Sequence, residues 1–205
     1  MSDLLNLPLR DFLAATAAKH PTPGGGSVSA LAAALAAALA VMAMEYTAGK
    51  KSFASHDAQI RGALAQFQHA SLMLQQLMNE DVAAYEALSL ILKLPPQDRL
   101  KHPDYPTAVV AAIRAPQITA GFAFNILEHC AGLLDKTTKF LVSDLGVAAV
   151  LAHAALHASE LNMLVNLPLL PNPSEAAALR QSIAALSSKA DRLYAEFRAQ
   201  LLQKL

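Results

Sequence analysis

Two aspartates are placed where they could take part in acid–base chemistry. Asp81 lies between Met78 and Tyr85 in a row of mostly apolar residues that recur in steps of four and three. A carboxylate on such a helix face is expected to be partly buried, and burial raises the pKa of a carboxyl group unless cations or donors compensate. A hydrogen bond between two helices would explain Asp81 equally well. Asp144 directly follows Ser143, a predicted helix N-cap, where an acidic residue also suits the helix dipole.

A glycine-rich loop leads into a helix at residues 21–27, which read PTPGGGS. Free backbone N–H groups at a helix N-terminus can bind an anion, and glycines allow a ligand to approach the backbone closely. The loop lacks the Gly-Lys-Ser/Thr of a nucleotide-binding P-loop, and no strand precedes it. Lys50 and Lys51 follow the other end of that helix, where they could also be a solvated pair of charges.

Two asparagines and two histidines share one predicted helix. Asn162 and Asn166 lie four residues apart on an apolar face, so each amide needs a hydrogen-bond partner, by default on another helix and otherwise on a ligand. His153 and His157 have the same spacing, but the glutamate of the zinc-protease motif is missing and no third ligand is evident. The sequence therefore predicts no metal site.

Helical spacing runs through the whole chain, and the alternation typical of strands is essentially absent. The pattern predicts an all-α fold, a bundle of about six helices, several of them long and kinked at prolines, forming a single domain over residues 1–205. We expect a kink or a break at Pro116 and an irregular link between Pro95 and Pro106. The predicted helices cover about 8–19, 27–49, 57–93, 107–134, 143–166 and 174 onward.

The composition points to an oligomer. Hydrophobic residues make up 54% and charged residues 16% of the chain, against about 45–50% and 25% in average domains. A large subunit interface would cover that apolar surface. The zero net charge gives no sign of a nucleic-acid partner, and one cysteine, Cys130, excludes an internal disulfide framework. No signal peptide is evident, which predicts a cytoplasmic protein.

The stretch from Val28 to Met44 is apolar enough to be compared with a membrane span. It is about 17 residues long, which is the lower limit for crossing a bilayer. Leu31, Leu35 and Leu39 recur every four residues on one face, and alanines elsewhere would let other backbones approach closely. We therefore expect a buried core helix and no membrane partner.

Five segments, taken together and in order, carry a resemblance to a known family. They are PTPGGGS at 21–27, GKKSF at 49–53, DVAAY at 81–85, SDLGVAA at 143–149 and NMLVNL at 162–167. In this order, over almost the whole chain, the sequence resembles the cyclodeaminase/cyclohydrolase family. That family includes the cyclodeaminase half of formiminotransferase-cyclodeaminase and stand-alone methenyltetrahydrofolate cyclohydrolases.

The resemblance implies an all-helical homodimer that acts on one-carbon tetrahydrofolates, with no metal and no cofactor beyond that substrate. It also implies that the folate site is lined by Asp81, Asp144 and the glycine loop. The catalytic residues predicted are Asp81 as general acid/base and Asp144 as a second carboxylate. The predicted substrate-binding residues are Pro23, Gly24, Gly25, Gly26, Ser27, Lys50, Lys51, Ser143, Asn162 and Asn166.

Three functions remain open from the sequence. The leading one is methenyltetrahydrofolate cyclohydrolase, a hydrolase, and the second is formiminotetrahydrofolate cyclodeaminase, a lyase that releases ammonia. The third is a helical protein that binds folate or serves a structural role without turnover. Two departures from the family pattern favour it: Thr137-Thr138 in place of a Gly-Asn pair, and the proline-rich link after Leu94. Asp144 and Asn162 are 18 residues apart on one helix, about 27 Å, so they cannot both contact one reacting carbon within a subunit.

Overall fold

The computed structural model describes residues 3–205, and within that range every regular element is helical. The all-α prediction is confirmed. Six helices are longer than two turns, and a seventh, α4, is a single turn inside the link that was expected to be irregular. The α-helices are α1 (Leu9–Ala17), α2 (Gly25–Glu45), α3 (Asp57–Leu92), α4 (Pro96–Arg99), α5 (Tyr105–Leu133), α6 (Val142–Asn166) and α7 (Pro173–Leu202).

Helix α2 lies at the centre of the bundle and packs against α3, α5 and α6. Its buried side consists of small residues, so the neighbouring backbones come close, as the alanines predicted: Ala30, Ala33, Ala34, Ala36, Ala37, Ala40 and Ala43. The face that carries Leu35 points outward, with that side chain 52% exposed. The buried side of α2 is therefore built mostly from alanine, and Met44 is the large apolar side chain that it adds to the core.

The long helix α3 follows the predicted stripe closely. Ile60, Phe67, Leu74 and Met78 are buried against the rest of the core, and the helix runs without interruption from Asp57 to Leu92. A stripe with a period near 3.6 residues must face the core over its full length. That requirement directs the side chain of Asp81, the next position on the stripe, toward the inside of the bundle.

Helix α5 continues through Pro116, so of the two outcomes expected there, a break does not occur. Proline has no N–H and cannot bond to the carbonyl four residues earlier, which is that of Ala112. The side-chain amide of Asn166 on α6 donates to this carbonyl at 3.2 Å. The proline thus leaves the Ala112 carbonyl without its helical donor, and α6 supplies a donor in its place.

Two predicted helix starts are wrong. Ser27 is not the N-cap of α2, because the helix begins at Gly25 with Gly24 as its cap, and Ser27 is its third residue and is fully buried. Ser143 is not the N-cap of α6, since that helix begins at Val142 after Leu141, and Ser143 is exposed. Neither helix has a side-chain cap at its N-cap position. At α2 a residue distant in the sequence takes this role.

Three segments are long and apolar enough to cross a membrane, judged by length and composition alone. They are Gly25–Glu45, Tyr105–Lys136 and Lys139–Leu169. The shares of their most apolar windows buried inside the chain are 56%, 56% and 44%, respectively. About half of each of these windows is therefore already buried inside the chain.

Cys130 lies on α5 with no exposed surface, and burial raises the pKa of its thiol well above the ordinary value. Its side chain belongs to the apolar core. The thiolate is the reactive form of cysteine, so this residue is a packing group in the fold.

Candidate functional site

The glycine-rich loop, α3 and α6 meet around a cavity of about 290 Å³ near the N-terminus of α2. Its lining is a mixture of backbone, apolar side chains and five polar side chains. The residues around it are Pro21, Thr22, Gly24, Gly25, Gly26, Asp81, Tyr85, Leu88, Ala112, Asn162, Val165 and Asn166. Seven helices of mostly apolar sequence thus leave one small polar cavity where four predicted site elements meet: the loop, Asp81, Asn162 and Asn166.

Asp81 caps helix α2 from a distance of 54 residues in the sequence. Its carboxylate accepts a hydrogen bond from the backbone N–H of Ser27 and lies 3.0 Å from the Ser27 hydroxyl. The first N–H groups of a helix have no partner within the helix, and a carboxylate there also interacts favourably with the helix dipole. Asp81 therefore satisfies a helix end that has no side-chain cap of its own.

Two hydrogen-bond arrangements are possible around Ser27, one for each protonation state of Asp81. The Ser27 hydroxyl lies 3.0 Å from the Met78 carbonyl and 3.0 Å from Asp81 Oδ2. When Asp81 is ionised, the hydroxyl donates to the carboxylate. When Asp81 is protonated, the acid can donate to Ser27, which then donates to the Met78 carbonyl. Because both states keep their partners, Asp81 can gain or lose a proton without leaving a buried group unpaired.

Burial raises the pKa of Asp81 above its ordinary value, and the hydrogen bonds from the side chain and backbone of Ser27 lower it by less. Desolvation therefore outweighs the two donors. A carboxyl group with a raised pKa at a cavity wall is suited to proton transfer near neutral pH. The prediction that Asp81 is partly buried is confirmed by this geometry.

Two of the three glycines, Gly25 and Gly26, make room for polar side chains. A Cβ atom added at Gly26 would lie 1.8 Å from Asp81 Oδ1, and one added at Gly25 would lie 2.9 Å from Asn162 Oδ1. Real Cβ atoms do not approach other heavy atoms this closely, so these positions need glycine because of a close approach. The glycines serve to bring the helix N-terminus against Asp81 and Asn162.

Asn162 and Asn166 hold α6 against its neighbours and also line the cavity. The Asn162 amide donates to the carbonyl of Ala158 at 3.0 Å and lies 3.4 Å from Ser29 Oγ on α2. The Asn166 amide donates to the carbonyls of Ala112 and Asn162, at 3.2 and 3.1 Å. Interhelical bonding, which was the default expectation, is present, and both amides are held in fixed positions beside Asp81.

The other predicted site residues lie at the opposite end of α2. The Lys50 ammonium is 3.4 Å from Thr138 Oγ1, and the Thr138 N–H is 3.4 Å from Thr47 Oγ1, which places the start of α6 beside the end of α2. Asp144 is half-buried in the first turn of α6. Helix α2 has 21 residues, or about 30 Å of length. Pairing Asp144 with Asp81 in one subunit's site is therefore wrong.

Ser143 and Lys51 are exposed and belong to this same second group. Helices α2 and α6 run antiparallel, since the start of α2 contacts the end of α6 and the end of α2 contacts its start. The family-like segments are thus divided between the two ends of the bundle. Within one chain, Asn162 and Asn166 lie beside Asp81. The predicted site residues at the other end do not reach the cavity: Lys50, Lys51, Ser143 and Asp144.

Tyr85 and Thr22 also line the cavity; neither is among the individually predicted site residues, although Thr22 belongs to the glycine-rich loop. Tyr85 follows Asp81 by one helical turn and is 44% exposed, which is unusual for a position on an apolar stripe. The spacing of one helical turn from Asp81 could have predicted that Tyr85 belongs to the same site. Thr22 precedes Pro23 through a cis peptide bond in the glycine-rich loop. No pattern in the sequence indicated that this side of the loop faces the cavity.

The arrangement can bind a flat, polar, heterocyclic group and move one proton at it. Two amides provide donors and acceptors, the tyrosine provides a ring face, and Asp81 provides a carboxyl group of raised pKa. At about 290 Å³ the cavity is at the lower limit of small-molecule sites. It can enclose the reacting part of a ligand and must leave a longer tail outside.

Comparisons with known proteins identify relatives of the chain. Residues 8–185 match the sequence model of the family described as formiminotransferase-cyclodeaminase. The formimidoyltransferase-cyclodeaminase of Sus scrofa is 32% identical over 197 residues, covering 91% of this chain and 35% of the pig protein. The methenyltetrahydrofolate cyclohydrolase of Methylorubrum extorquens is 27% identical over 165 residues, covering 78% of this chain and 79% of that protein.

A solved structure shares the fold. The formiminotetrahydrofolate cyclodeaminase of Thermotoga maritima superposes with a TM-score of 0.82 at 23% identity, covering 98% of this chain and 97% of that one. The chain spans only 35% of the length of the pig relative and 31% of that of Mus musculus. The family match nevertheless covers most of the chain and includes the glycine loop, Asp81, Asn162 and Asn166. The chain belongs to the formiminotransferase-cyclodeaminase family.

Proposed function

We propose that the protein is a methenyltetrahydrofolate cyclohydrolase. The observation that carries the proposal is the position of Asp81: a carboxyl group of raised pKa at the wall of a polar cavity, with a hydrogen-bond arrangement available for either protonation state. The family relationship supplies the substrate class, because relatives are named for reactions on one-carbon tetrahydrofolates.

In the proposed reaction, water adds to the electrophilic methenyl carbon that bridges two nitrogens of the folate. Asp81 accepts a proton from that water as the carbon–oxygen bond forms. One carbon–nitrogen bond then breaks, its nitrogen takes up a proton, and the product is formyltetrahydrofolate. Proton transfer by a positioned side chain contributes about a hundredfold to ten-thousandfold in rate. Asn162 and Asn166 would hold the heterocycle, and Ser27 would support Asp81.

The second candidate is formiminotetrahydrofolate cyclodeaminase. Here a folate nitrogen attacks the formimino carbon, the departing nitrogen is protonated and leaves as ammonia, and the methenyl bridge is formed. The names of the pig and Thermotoga relatives favour it. The same Asp81 would protonate the leaving nitrogen.

An absorbance assay with two substrates distinguishes these candidates. Loss of the methenyltetrahydrofolate chromophore beyond the uncatalysed rate supports the cyclohydrolase, and its appearance from formiminotetrahydrofolate, with release of ammonia, supports the cyclodeaminase. Binding of either folate without turnover would contradict both and identify a non-catalytic folate-binding protein, the alternative favoured by Thr137-Thr138 and the proline-rich link. The assay therefore decides among all three functions.

A homodimer forms part of the proposal. Five helical turns separate Asp144 from Asn162 on α6, so both lie on the same face of that helix, at opposite ends. Exposed apolar side chains lie between them on α6 and on the neighbouring α2, including Leu35, Val147 and Leu161. A twofold axis across this face would bring the Asp144 end of one subunit to the Asn162 end of the other. A site assembled in this way could use Asp144, Ser143, Lys50 and Lys51, with the lysines near the glutamate tail.

We expect the chain to sediment as a stable dimer at micromolar concentration. Leu35 is the middle residue of α2, so a twofold axis that exchanges the two ends of the helix passes close to it. Leu35→Glu would bring two like charges together at the axis and should shift the equilibrium toward monomer. Leu100→Glu, at an exposed leucine in the link, should leave it unchanged. A folded parent chain that sediments as a monomer at this concentration would contradict the proposal.

Turnover should survive exhaustive treatment with chelators. Among residues 3–205, the only cluster with metal-ligand geometry lies on the contact between α6 and α7, away from the cavity at Asp81. The proposed reaction uses no cofactor beyond its folate substrate. Activity that disappears on chelation while the chain stays folded, and returns with zinc, would overturn this assignment.

We also propose that the protein is cytoplasmic and acts without a membrane or nucleic-acid partner. The burial of about half of each membrane-length segment, together with a net charge of zero, supports this. Recovery of the untagged protein in the soluble fraction, without detergent or bound nucleic acid, is the expected result.

A further inference from the structure

Two histidines and an aspartate converge on the side of α6 that faces α7. His153 and His157 are one turn apart on α6, and Asp191 comes from α7. Both Nε2 atoms lie 2.8 Å from Asp191 Oδ1, and they are 3.2 Å from each other. Zinc binds imidazole nitrogen and carboxylate oxygen at about 2.0–2.2 Å in a tetrahedron, so its ligand atoms are about 3.3 Å apart. The spacing observed needs adjustment by about half an ångström to fit such an ion.

The hydrogen-bond requirements of His157 are not met by a neutral ring. Its Nδ1 lies 3.3 Å from Glu160 Oε2, and its Nε2 lies 2.8 Å from Asp191 Oδ1. A carboxylate oxygen thus faces each nitrogen of the ring, but a neutral imidazole has only one N–H to donate. Either the ring carries a second proton, or Nδ1–H donates to Glu160 and the lone pair of Nε2 faces a cation. The second arrangement is the carboxylate–histidine–metal pattern common in metal sites.

The surrounding residues hold these groups in place. Glu160 Oε2 accepts a hydrogen bond from the Ser187 hydroxyl at 2.7 Å, and Ser187 is buried. The ring of His153 stacks on that of Tyr194, with centroids 4.4 Å apart and planes inclined by 14°. The side chain of Asp191 is 56% exposed, which leaves one side of the cluster open to water. Two candidate ligands and one supporting carboxylate are thus fixed by neighbours, and solvent can complete the coordination.

We propose that His153, His157 and Asp191 bind one divalent transition-metal ion of the zinc class, which ties α6 to α7. Imidazole with carboxylate suits zinc, whereas calcium and magnesium prefer oxygen ligands alone. The cluster is not part of the folate cavity: His153 lies nine residues, or two and a half turns, from Asn162, and so faces the opposite side of α6. The third ligand that the sequence did not reveal is Asp191, 34 residues beyond His157.

Equilibrium dialysis of the full, metal-free chain against Zn²⁺ tests the proposal, with cobalt as a spectroscopic probe. We expect one ion per chain, tetrahedral Co²⁺ absorption that zinc abolishes, and a zinc-dependent rise in melting temperature. His157→Gln and Asp191→Asn should each lower zinc affinity at least about a hundredfold, and Glu160→Gln should lower it by about tenfold to a hundredfold. His56→Gln, at an exposed histidine outside the cluster, is the matched control and should bind as the parent does.

Asp191→Asn is expected to fold, because its amide oxygen can still accept hydrogen bonds from the histidines. It therefore tests metal binding even if another ligand variant fails to fold. If the folded parent binds zinc no more tightly than folded Asp191→Asn, the cluster is only a protonated histidine–carboxylate network and the proposal is wrong. Binding by parent and His56→Gln that the ligand variants lose supports it. The readout is metal binding and stability in the absence of folate, so the result does not depend on the proposed reaction.

Discussion

Asp81→Asn is expected to lower turnover by about a hundredfold or more while the chain stays folded and binds folate. Asparagine has the size of the protonated aspartate, and its amide can donate to Ser27 while its oxygen accepts the Ser27 N–H. The hydrogen bonds that cap α2 can therefore persist. What the variant lacks is a proton that can be exchanged at neutral pH. Steady-state kinetics on both folates, together with a melting curve, measures the two effects separately.

The stability of Asp81→Asn should differ from that of the parent in a pH-dependent way. Burial raises the pKa of Asp81 in the folded chain above its unfolded value, so the folded state holds this proton more tightly. The tighter binding of this proton adds to the free energy of unfolding. That contribution is fully present below the unfolded pKa and is lost as the pH rises through the folded pKa. Asparagine does not titrate. The variant should gain stability relative to the parent as the pH rises through this window.

A structural role alone would give a different result. If Asp81 serves only as a cap, the variant's specific activity per folded molecule should equal that of the parent. Equal turnover of both folates by variant and parent would remove Asp81 as the acid/base and transfer that role to Asp144. In that case Asp144→Asn should abolish activity, and the dimer would have to place Asp144 at the cavity.

Gly26→Ala is expected to have the second large effect, through geometry and not through charge. The new methyl group would lie 1.8 Å from Asp81 Oδ1, so the carboxylate or the start of α2 must move. A displacement of about 1 Å at a reacting group can cost a hundredfold in rate, and overpacking costs about 1–3 kcal/mol of stability. Both losses should appear together in kinetics and in chemical denaturation.

Gly62→Ala is the matched control for Gly26→Ala. Gly62 lies inside α3, where an added Cβ would meet no atom within 4 Å. Replacing a helix-interior glycine with alanine should raise stability by about 0.5–1 kcal/mol and leave turnover unchanged. In Gly25→Ala the new Cβ would lie 2.9 Å from Asn162 Oδ1. Its turnover and stability should be intermediate between those of Gly26→Ala and Gly62→Ala. A Gly26→Ala variant with the parent's rate and stability would show that the loop does not position Asp81.

The sequence predicted α3 well because this helix carries an apolar stripe that had to be buried. The stripe of α3 also predicted that Asp81 would be partly buried, and the alanines of α2 predicted close helix packing. The starts of α2 and α6 could not be predicted in the same way. At α2 the cap comes from Asp81, 54 residues further along, so no local signal near Ser27 could reveal it.

The grouping of site residues also depended on information absent from local patterns. Family-like segments are ordered along the chain, but their order does not say that α2 and α6 run antiparallel and so separate Asp144 from Asp81. For the same reason the sequence did not group Asp191 with His157. The two residues are far apart in the sequence and meet only because α7 packs on α6. Close contacts between distant helices, and not helical periodicity, decide which polar residues meet.

The burial of Cys130 makes the chain convenient for site-specific labelling. It is the only cysteine in the sequence, and as a buried thiol it should not react with maleimide reagents under native conditions. A cysteine introduced at Phe140, which is 90% exposed, would then be the only reactive thiol in each folded molecule. Fluorophores attached there could report distances and exchange between molecules without first removing the natural residue.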